Sequence, residues 1–407
     1  EHGSATVPFG STRIFTPGSV IFANGLFPKQ EGEHELHVPK MIGFHAGGRA
    51  RKPYQPKSYF NISAMSYGSL SKPAIKALSY GANMGGCWLN TGEGGCSPYH
   101  LESGCDIVYQ LGTAKFGARN DDGTLNEPKL RTLCEQNPQI KMIEIKLSQG
   151  AKPGKGGILP AAKVTAEIAQ IRGIPAGKAA ISPNRHVDAG TPDELLDLIG
   201  RVREVSGLPT GIKFVAGNLP EIKELIAAIK KRGAESAPDF MTLDGGDGGT
   251  GAAPMPLIDN MGLTIRESLP AITDMLAAAG LRERIRIIAA GKLITPAEVA
   301  WAFCAGADFV NCARGFMFAL GCIQAMKCNM NTCPTGVTTH NKRLQRGLDP
   351  ENKSVRVMNF IKTMRKEVDM IAHSCGVNHP NELRREHALI VQPSGRTKPF
   401  SDIWPHD

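Results

Sequence analysis

The chain has 407 residues, 41% of them apolar and 21% charged, and carries a formal net charge of +9. That apolar fraction excludes a disordered chain and allows a large core, while the lack of any Lys/Arg run interleaved with aromatics argues against a nucleic-acid partner and leaves acidic substrates or partners as what the charge favours. Ten cysteines in a chain of this length lack the density of a small secreted scaffold and point to a reducing cytosol.

The chain opens Glu1-His2-Gly3 without an initiator methionine, which leaves room for a membrane anchor upstream. Within the chain no uninterrupted apolar run reaches the ~18 residues a spanning helix needs. Residues 1–58 carry scattered Pro and Gly and a basic patch, Arg49-Ala50-Arg51-Lys52, and read as a wrapping arm. From residue 59 short apolar runs alternate with loops and helical stretches. The runs are Phe60–Ser66, Cys87–Thr91, Ile107–Gly112, Met142–Leu147, Gly211–Val215, Phe240–Leu243, Arg286–Ala290 and Phe309–Cys312. Eight strands alternating with helices predict an α/β fold, a closed (β/α)8 TIM barrel over residues 59–345. Apolar residues at three- and four-residue intervals predict helices over Ser71–Asn83, Pro192–Val205, Glu221–Arg232 and Thr295–Ala305. Two insertions interrupt the rhythm: Gln149 to about Asp188, rich in Lys, Pro and Gly, and a cysteine loop after the eighth strand. Residues 346–407 read as a C-terminal helical tail, with its main helix over Lys353–Ala372.

In such a barrel the loops after the strands share one face, and that face carries the site. Its last strands end in Asp244-Gly245-Gly246-Asp247-Gly248-Gly249-Thr250-Gly251, Ala289-Ala290-Gly291-Lys292 and Cys312-Ala313-Arg314-Gly315. Glycine-rich backbone with an arginine at consecutive strand ends suits a phosphate group, and flavin mononucleotide (FMN) is the natural candidate in a barrel. Lys213, inside Gly-Ile-Lys-Phe-Val, suits the same ligand if it points inward, since a cation stabilises an anionic reduced flavin; a lysine that points outward and snorkels is the alternative. Ala64-Met65-Ser66-Tyr67-Gly68-Ser69 offers small residues where a flat ring could lie. Asn90-Thr91-Gly92-Glu93-Gly94-Gly95 and Lys146-Leu147-Ser148-Gln149-Gly150-Ala151-Lys152-Pro153-Gly154 set a carboxylate opposite lysine and glutamine. With Arg172, these residues supply cations for an anionic oxoacid and an acid or base for an imine. Cys322, Cys328 and Cys333 follow the spacing C-x5-C-x4-C, and Pro334 comes next. Thiolates so spaced fit an iron–sulfur cluster or zinc, three without a fourth ligand fit a three-iron cluster better, and three buried free thiols are the plain alternative.

Taken in order, the Met65-Ser66-Tyr67-Gly68-Ser69 segment, the Asn-Thr-Gly-Glu-Gly-Gly run, Gln149–Gly154, Asp247–Ala252 and the cysteine loop resemble the FMN-binding synthase domain of glutamate synthase. The likeness runs from about residue 59 to 345 and is strongest to stand-alone members without an amidotransferase portion. The resemblance implies FMN and a [3Fe–4S] cluster held by Cys322, Cys328 and Cys333. It implies a flavin that passes a hydride to the imine formed from 2-oxoglutarate and ammonia. Glu93, Gln149, Lys152 and Arg172 match positions around the 2-oxoacid. The flavin-binding set is then Ala64, Met65, Ser66, Asn90, Thr91, Lys146, Lys213, Asp247, Gly248, Gly249, Thr250, Gly251, Gly291, Lys292, Ala313 and Arg314. Two segments depart from the family: Ile158 stands where it has a glutamine, and Ile181-Ser182-Pro183-Asn184-Arg185-His186 replaces a Pro- and His-rich run.

The expected activity is therefore an oxidoreductase acting on the CH–NH2 bond, a reductive aminase of 2-oxoglutarate or a related 2-oxoacid, or the reverse oxidation. No G-x-G-x-x-G fingerprint appears, so electrons are expected from ferredoxin or a reductase subunit, and ammonia from solution or a separate amidotransferase subunit. Alternatives are an N-methylamino-acid synthase or amine dehydrogenase subunit, a non-catalytic electron-transfer subunit, and a zinc-stabilised barrel.

Overall fold

In the computed structural model, which describes residues 14–29, 39–43, 50–251 and 253–405, eight short runs of apolar and small residues pair in parallel and close on themselves. Numbered around the barrel they are β1 (Phe60–Ile62), β2 (Leu89–Asn90), β3 (Ile107–Leu111), β4 (Ile140–Lys146), β5 (Thr210–Phe214), β6 (Phe240–Asp244), β7 (Arg286–Ala290) and β8 (Phe309–Cys312). Each pairs with the next, and β8 returns to β1 through Val310 opposite Phe60. The fold is the (β/α)8 barrel that the sequence predicts. Near-continuous burial along every strand is what a parallel sheet covered by helices requires.

Several helices begin where a side chain satisfies an orphan amide. Ser71 caps Lys72–Gly85 by accepting from Ala74 N, Thr191 caps Pro192–Ser206, and Thr295 with Glu298 forms a reciprocal box on Pro296–Cys304. The helix Pro350–Ser374 packs lengthwise on Lys72–Gly85, with Val357 set directly over Gly81.

Three features differ from the sequence reading. β1 stops at Ile62, and the residues beyond it bond the two flanking strands singly, Ser63 N donating to Cys312 O and Met65 N to Asn90 O. The tail is not helical throughout: Ala388–Val391 and Thr397–Pro399 form a three-stranded antiparallel sheet with Val20–Phe22 of the arm. Strands of three or four residues carry too little alternation to be read. Third, the 149–188 insertion holds an antiparallel pair, Ile158–Leu159 with Ala180–Ile181, and a helix, Ala166–Arg172, which ends at Gly173 with φ +68°. Arg49 and Ala252 lie outside the described residues.

The face at the strand starts is sealed by buried ion pairs. Asp239 accepts from Arg203 Nε at 2.9 Å, Thr210 N at 2.8 Å and Arg284 at 3.1 Å. Asp308 is held by Lys40, Arg282 and the amide of Ile287. The opposite face collects the long loops.

Candidate active site

The site forms where β1 to β6 end. In β4, Met142, Glu144 and Lys146 alternate onto one face, as strand geometry demands. Glu144 is fully buried and accepts from Asn90 Nδ2 (2.8 Å), Gln110 Nε2 (2.6 Å) and Thr242 Oγ1 (2.6 Å). Asn90 Oδ1 in turn accepts from Gly92 N, and Thr91 Oγ1 from Gln110 N. Gly92, at φ +65°, lies so close to Ser66 that a Cβ there would sit 2.8 Å from the serine amide. Ala64, Met65 and Ser66 are thus pinned beside Asn90 and Thr91. His100 fixes Met65 from behind, donating from Nε2 to its carbonyl at 2.8 Å, and burial lowers the pKa of this imidazole to about 4.

Lys213 faces the interior, next to Lys146 across the β4–β5 ladder, so the snorkelling alternative does not hold. Its ammonium lies 3.1 Å from Asp244. Burial works against its charge, but Asp244 and Glu144 outweigh burial and hold its pKa above the usual lysine range. Lys146 donates to Glu93 Oε1 and to Gln149 Oε1, both at 2.9 Å. Burial raises the Glu93 pKa, but Lys146, Lys152 and Arg172 together bring it below the ordinary glutamate value. Glu93 Oε2 is buried and accepts from no described group. Gly112 and Gly157 lie against this side chain, where a Cβ would collide with it.

Lys152 and Arg172 are buried in the same region, and burial depresses both, Arg172 to about 10, with Glu93 opposing the shift. The Arg172 guanidinium donates to Tyr67 O at 3.3 Å and lies 5.1 Å from the Phe116 ring centroid. Its Nε is buried and donates to no described group. The structure therefore brings Glu93, Gln149, Lys152, Arg172 and Lys146 together. Glu144 and Asp244 were missed. The signal for Glu144 was its place two residues before Lys146 in an otherwise apolar strand.

On the other side of the mouth the glycine loops meet. Gly245 N donates to Ala290 O, and Gly291, at φ +119°, leaves no room for a Cβ, which would lie 2.9 Å from Gly245 N. Asp247 Oδ1 accepts from Ile265 N at the start of helix Ile265–Ala278. Gly248 N donates back to Gly245 O. Gly249 faces the guanidinium of Arg314, which follows Ala313 at the start of helix Arg314–Leu320. Lys292 adopts φ +51° after β7. Thr250 and Gly251 lead away to the cysteine loop, where Gly251 lies against Cys328. Glycine backbone, Arg314 and a helix start fit a phosphate, and the orphaned Glu93 Oε2 and Arg172 Nε fit polar atoms of a bound molecule.

The cysteine loop carries Cys322, Cys328 and Cys333. Cys322 Sγ accepts from Gln324 N at 3.5 Å, and Cys333 Sγ lies 3.5 Å from Thr335 Oγ1. Burial pushes the Cys333 thiol up, but hydrogen bonds from Thr335 and Thr338 bring it down to about 7. Cys328 O accepts from the buried Lys163 ammonium at 2.8 Å. Among the described residues no three Cys, His, Asp or Glu side chains gather as metal ligands. Cys322 Sγ and Cys333 Sγ thus bond within their own turns, and Cys328 is held through its carbonyl.

Among the described residues no helix is long and apolar enough to cross a membrane. The chain is 39% identical to the glutamate synthase large subunit-like protein YerD of Bacillus subtilis (strain 168), over 97% of this chain and 81% of that protein. It is 36% identical to the archaeal glutamate synthase [NADPH] of Methanocaldococcus jannaschii, over 79% of this chain but only 60% of the relative's length. The flavin-binding domain of baker's yeast flavocytochrome b2 superposes with a TM-score of 0.51 at 14% identity, covering 93% of this chain and 78% of that one. A mandelate oxidase with 2-hydroxy-phenylacetamide superposes with a TM-score of 0.51 at 12% identity, covering 91% and 86%. These two likenesses show the barrel fold. A family model described as the conserved region in glutamate synthase matches residues 31–378, and the chain belongs to the glutamate synthase family, with its barrel and site loops inside that region.

Proposed function

We propose that the chain is an FMN-dependent oxidoreductase that reductively aminates 2-oxoglutarate or a closely related 2-oxoacid. The observation that carries this reading is the charge arrangement around Glu93. Lys146, Lys152 and Arg172 gather around the Glu93 carboxylate in a buried site, more positive charge than that one group balances. Buried charge is costly unless paired, and a dianionic oxoacid supplies the missing partners. Lys152 and Arg172 would bind its carboxylates, and Gln149, held by Lys146, would orient it. Glu93 Oε2, ionised and without a donor, would accept an N–H of the attacking amine and take its proton as the C–N bond forms.

FMN would be held by Ala64, Met65, Ser66, Asn90, Thr91 and Lys213 about its ring and by Asp247–Gly251, Gly291, Lys292, Ala313 and Arg314 about its phosphate. When bound, it supplies the hydride that reduces the imine carbon. Ferredoxin or a reductase subunit would provide electrons, and free ammonia or an amidotransferase subunit the nitrogen. A cluster on Cys322, Cys328 and Cys333 rests on their spacing and on the resemblance of their loop to the family. Iron and labile-sulfide analysis of anaerobically purified protein tests it independently.

A second reading is favoured by Ile158, which pairs in register with Ile181 in the insertion and replaces the family's glutamine. The isoleucine, exposed beside Ile181, supplies no polar contact to 2-oxoglutarate, and methylamine in place of ammonia, giving an N-methylamino acid, is the alternative reaction. One experiment separates the readings. Flavin-loaded protein is reduced artificially, and its reoxidation followed with 2-oxoglutarate plus ammonia, then plus methylamine. Reoxidation with ammonia supports the first reading, a preference for methylamine the second, and none with either defeats both.

A further inference from the structure

The residue before Gly68 in the first strand-end loop has a job that its place in the motif does not reveal. Tyr67 is buried and meets the helix Ala166–Arg172 at both ends. Its hydroxyl donates to Glu167 Oε2 at 2.5 Å, and its carbonyl accepts from Arg172 Nη2 at 3.3 Å. Five residues separate Glu167 from Arg172, about 7.5 Å along a helix axis, so one residue spans nearly the whole element. Glu167 has its second oxygen bonded by the hydroxyl of Tyr99. The two tyrosine rings pack edge to face at 5.1 Å, and the Lys72 ammonium caps the Tyr99 ring at 4.5 Å. His340 packs on the other side of Tyr67 at 5.9 Å while bonding Gly68 O.

The guanidinium at the far end sits in a slot made by the same loop. A Cβ on Gly68 would lie 3.0 Å from Arg172 Nη2, and one on Gly94 2.8 Å from it. The Phe116 ring lies 5.1 Å away. Arginine has many rotamers to lose, and an arginine already confined in this way loses less on meeting a carboxylate. We propose that Tyr67 is a positioning residue: by gripping Glu167 and Arg172 together it holds the Arg172 guanidinium in the geometry that receives the substrate carboxylate. This inference rests on the proposed role of Arg172.

The test uses the full flavin-loaded chain with Tyr67→Phe, Glu167→Gln, Arg172→Ala and the double variant Tyr67→Phe/Arg172→Ala. Hydrogen exchange over residues 166–172 reads the grip, calorimetry with 2-oxoglutarate reads binding, and steady-state kinetics separates KM from kcat. Tyr67→Phe keeps the ring and removes only the hydroxyl. It is expected to speed exchange across the helix, to raise Kd and KM about tenfold, and to leave kcat within about twofold and flavin content unchanged. Glu167→Gln is expected to act in the same direction. In the Arg172→Ala background Tyr67→Phe should add nothing further to Kd, because the two act through one group. Unchanged exchange, an undiminished effect in that background, or a fall in kcat with loss of flavin overturns the proposal. If Arg172→Ala alone leaves 2-oxoglutarate binding intact, the reading of the site fails, and the positioning role with it. Faster exchange in Tyr67→Phe would then still identify the grip as a property of the fold.

Discussion

In the proposed reaction Glu93 is the residue on which the chemistry turns. Its carboxylate touches Lys146, sits in the fields of Lys152 and Arg172, and has one oxygen without a partner among the described residues. Glu93→Gln keeps the shape and removes the charge. The expected outcome is a kcat lowered by about 10²- to 10⁴-fold, the range of a lost general base, with flavin content unchanged. Unaltered turnover would show that the proton goes elsewhere. Most of this set was legible as residue types: a lysine, a glutamine and a glutamate between glycines all announce themselves. Glu144 did not, because a single carboxylate in an apolar strand looks like an outward-facing position until Asn90, Gln110 and Thr242 are seen around it.

His100 makes a separate, testable contribution to stability. Buried and bonded to Met65 O, it has a pKa lowered to about 4 in the fold, against about 6.5 in an unfolded chain. The folded state therefore favours the neutral ring. That stability is fully present above about pH 6.5 and is lost as pH falls through about 4, a total of about 3 kcal/mol at 1.36 kcal/mol per unit. His186, also lowered to about 4 by burial, adds a similar slope. Denaturant titrations at pH 7, 5.5 and 4.5 should show a steep decline in the parent and roughly half that slope in His100→Gln.

Among the elements, the contact between helices Lys72–Gly85 and Pro350–Ser374 sets two effects in opposition. Replacing a helix-interior glycine with alanine gains up to about 1 kcal/mol of propensity. At Gly81, however, a Cβ would lie 2.5 Å from Val357 Cβ and 2.9 Å from Ser354 O. Backbone and a β-branched side chain cannot both give way, and overpacking of this kind costs about 1–3 kcal/mol. Gly81→Ala is therefore expected to lower Tm despite its better helix propensity. A raised Tm would mean that the helices move apart freely. The helices themselves were readable from their spacing of apolar residues. Their pairing was not, since a glycine in a helical pattern does not say what crosses it.

Across the whole molecule the two ends of the barrel have different work. At the strand starts, Asp239 gathers Arg203, Arg284 and an amide in a closed, buried group. Asp239→Asn leaves charged arginines without their counter-ion, and losing one member of such a pair costs about 3–5 kcal/mol. Equilibrium unfolding should register that loss, while flavin binding per folded molecule and substrate KM stay as in the parent. Activity lost in proportion greater than the folded fraction would contradict this division. The alternation of strands and helices, the glycine clusters and the cysteine spacing were local patterns, and local patterns determined the barrel, its open face and the candidate residues on it. What converges in space was decided by the tertiary structure alone. The sheet joining Val20–Phe22 to Ala388–Val391 links segments more than three hundred residues apart. Cys328 of the cysteine loop meets Gly251 of the glycine loop after the sixth strand. Arg172 and Tyr67, far apart in sequence, meet through the bond from the guanidinium to the Tyr67 carbonyl. Backbone preference acts over a few residues and can be read along the chain, whereas burial and charge pairing depend on which distant segments close packing brings face to face.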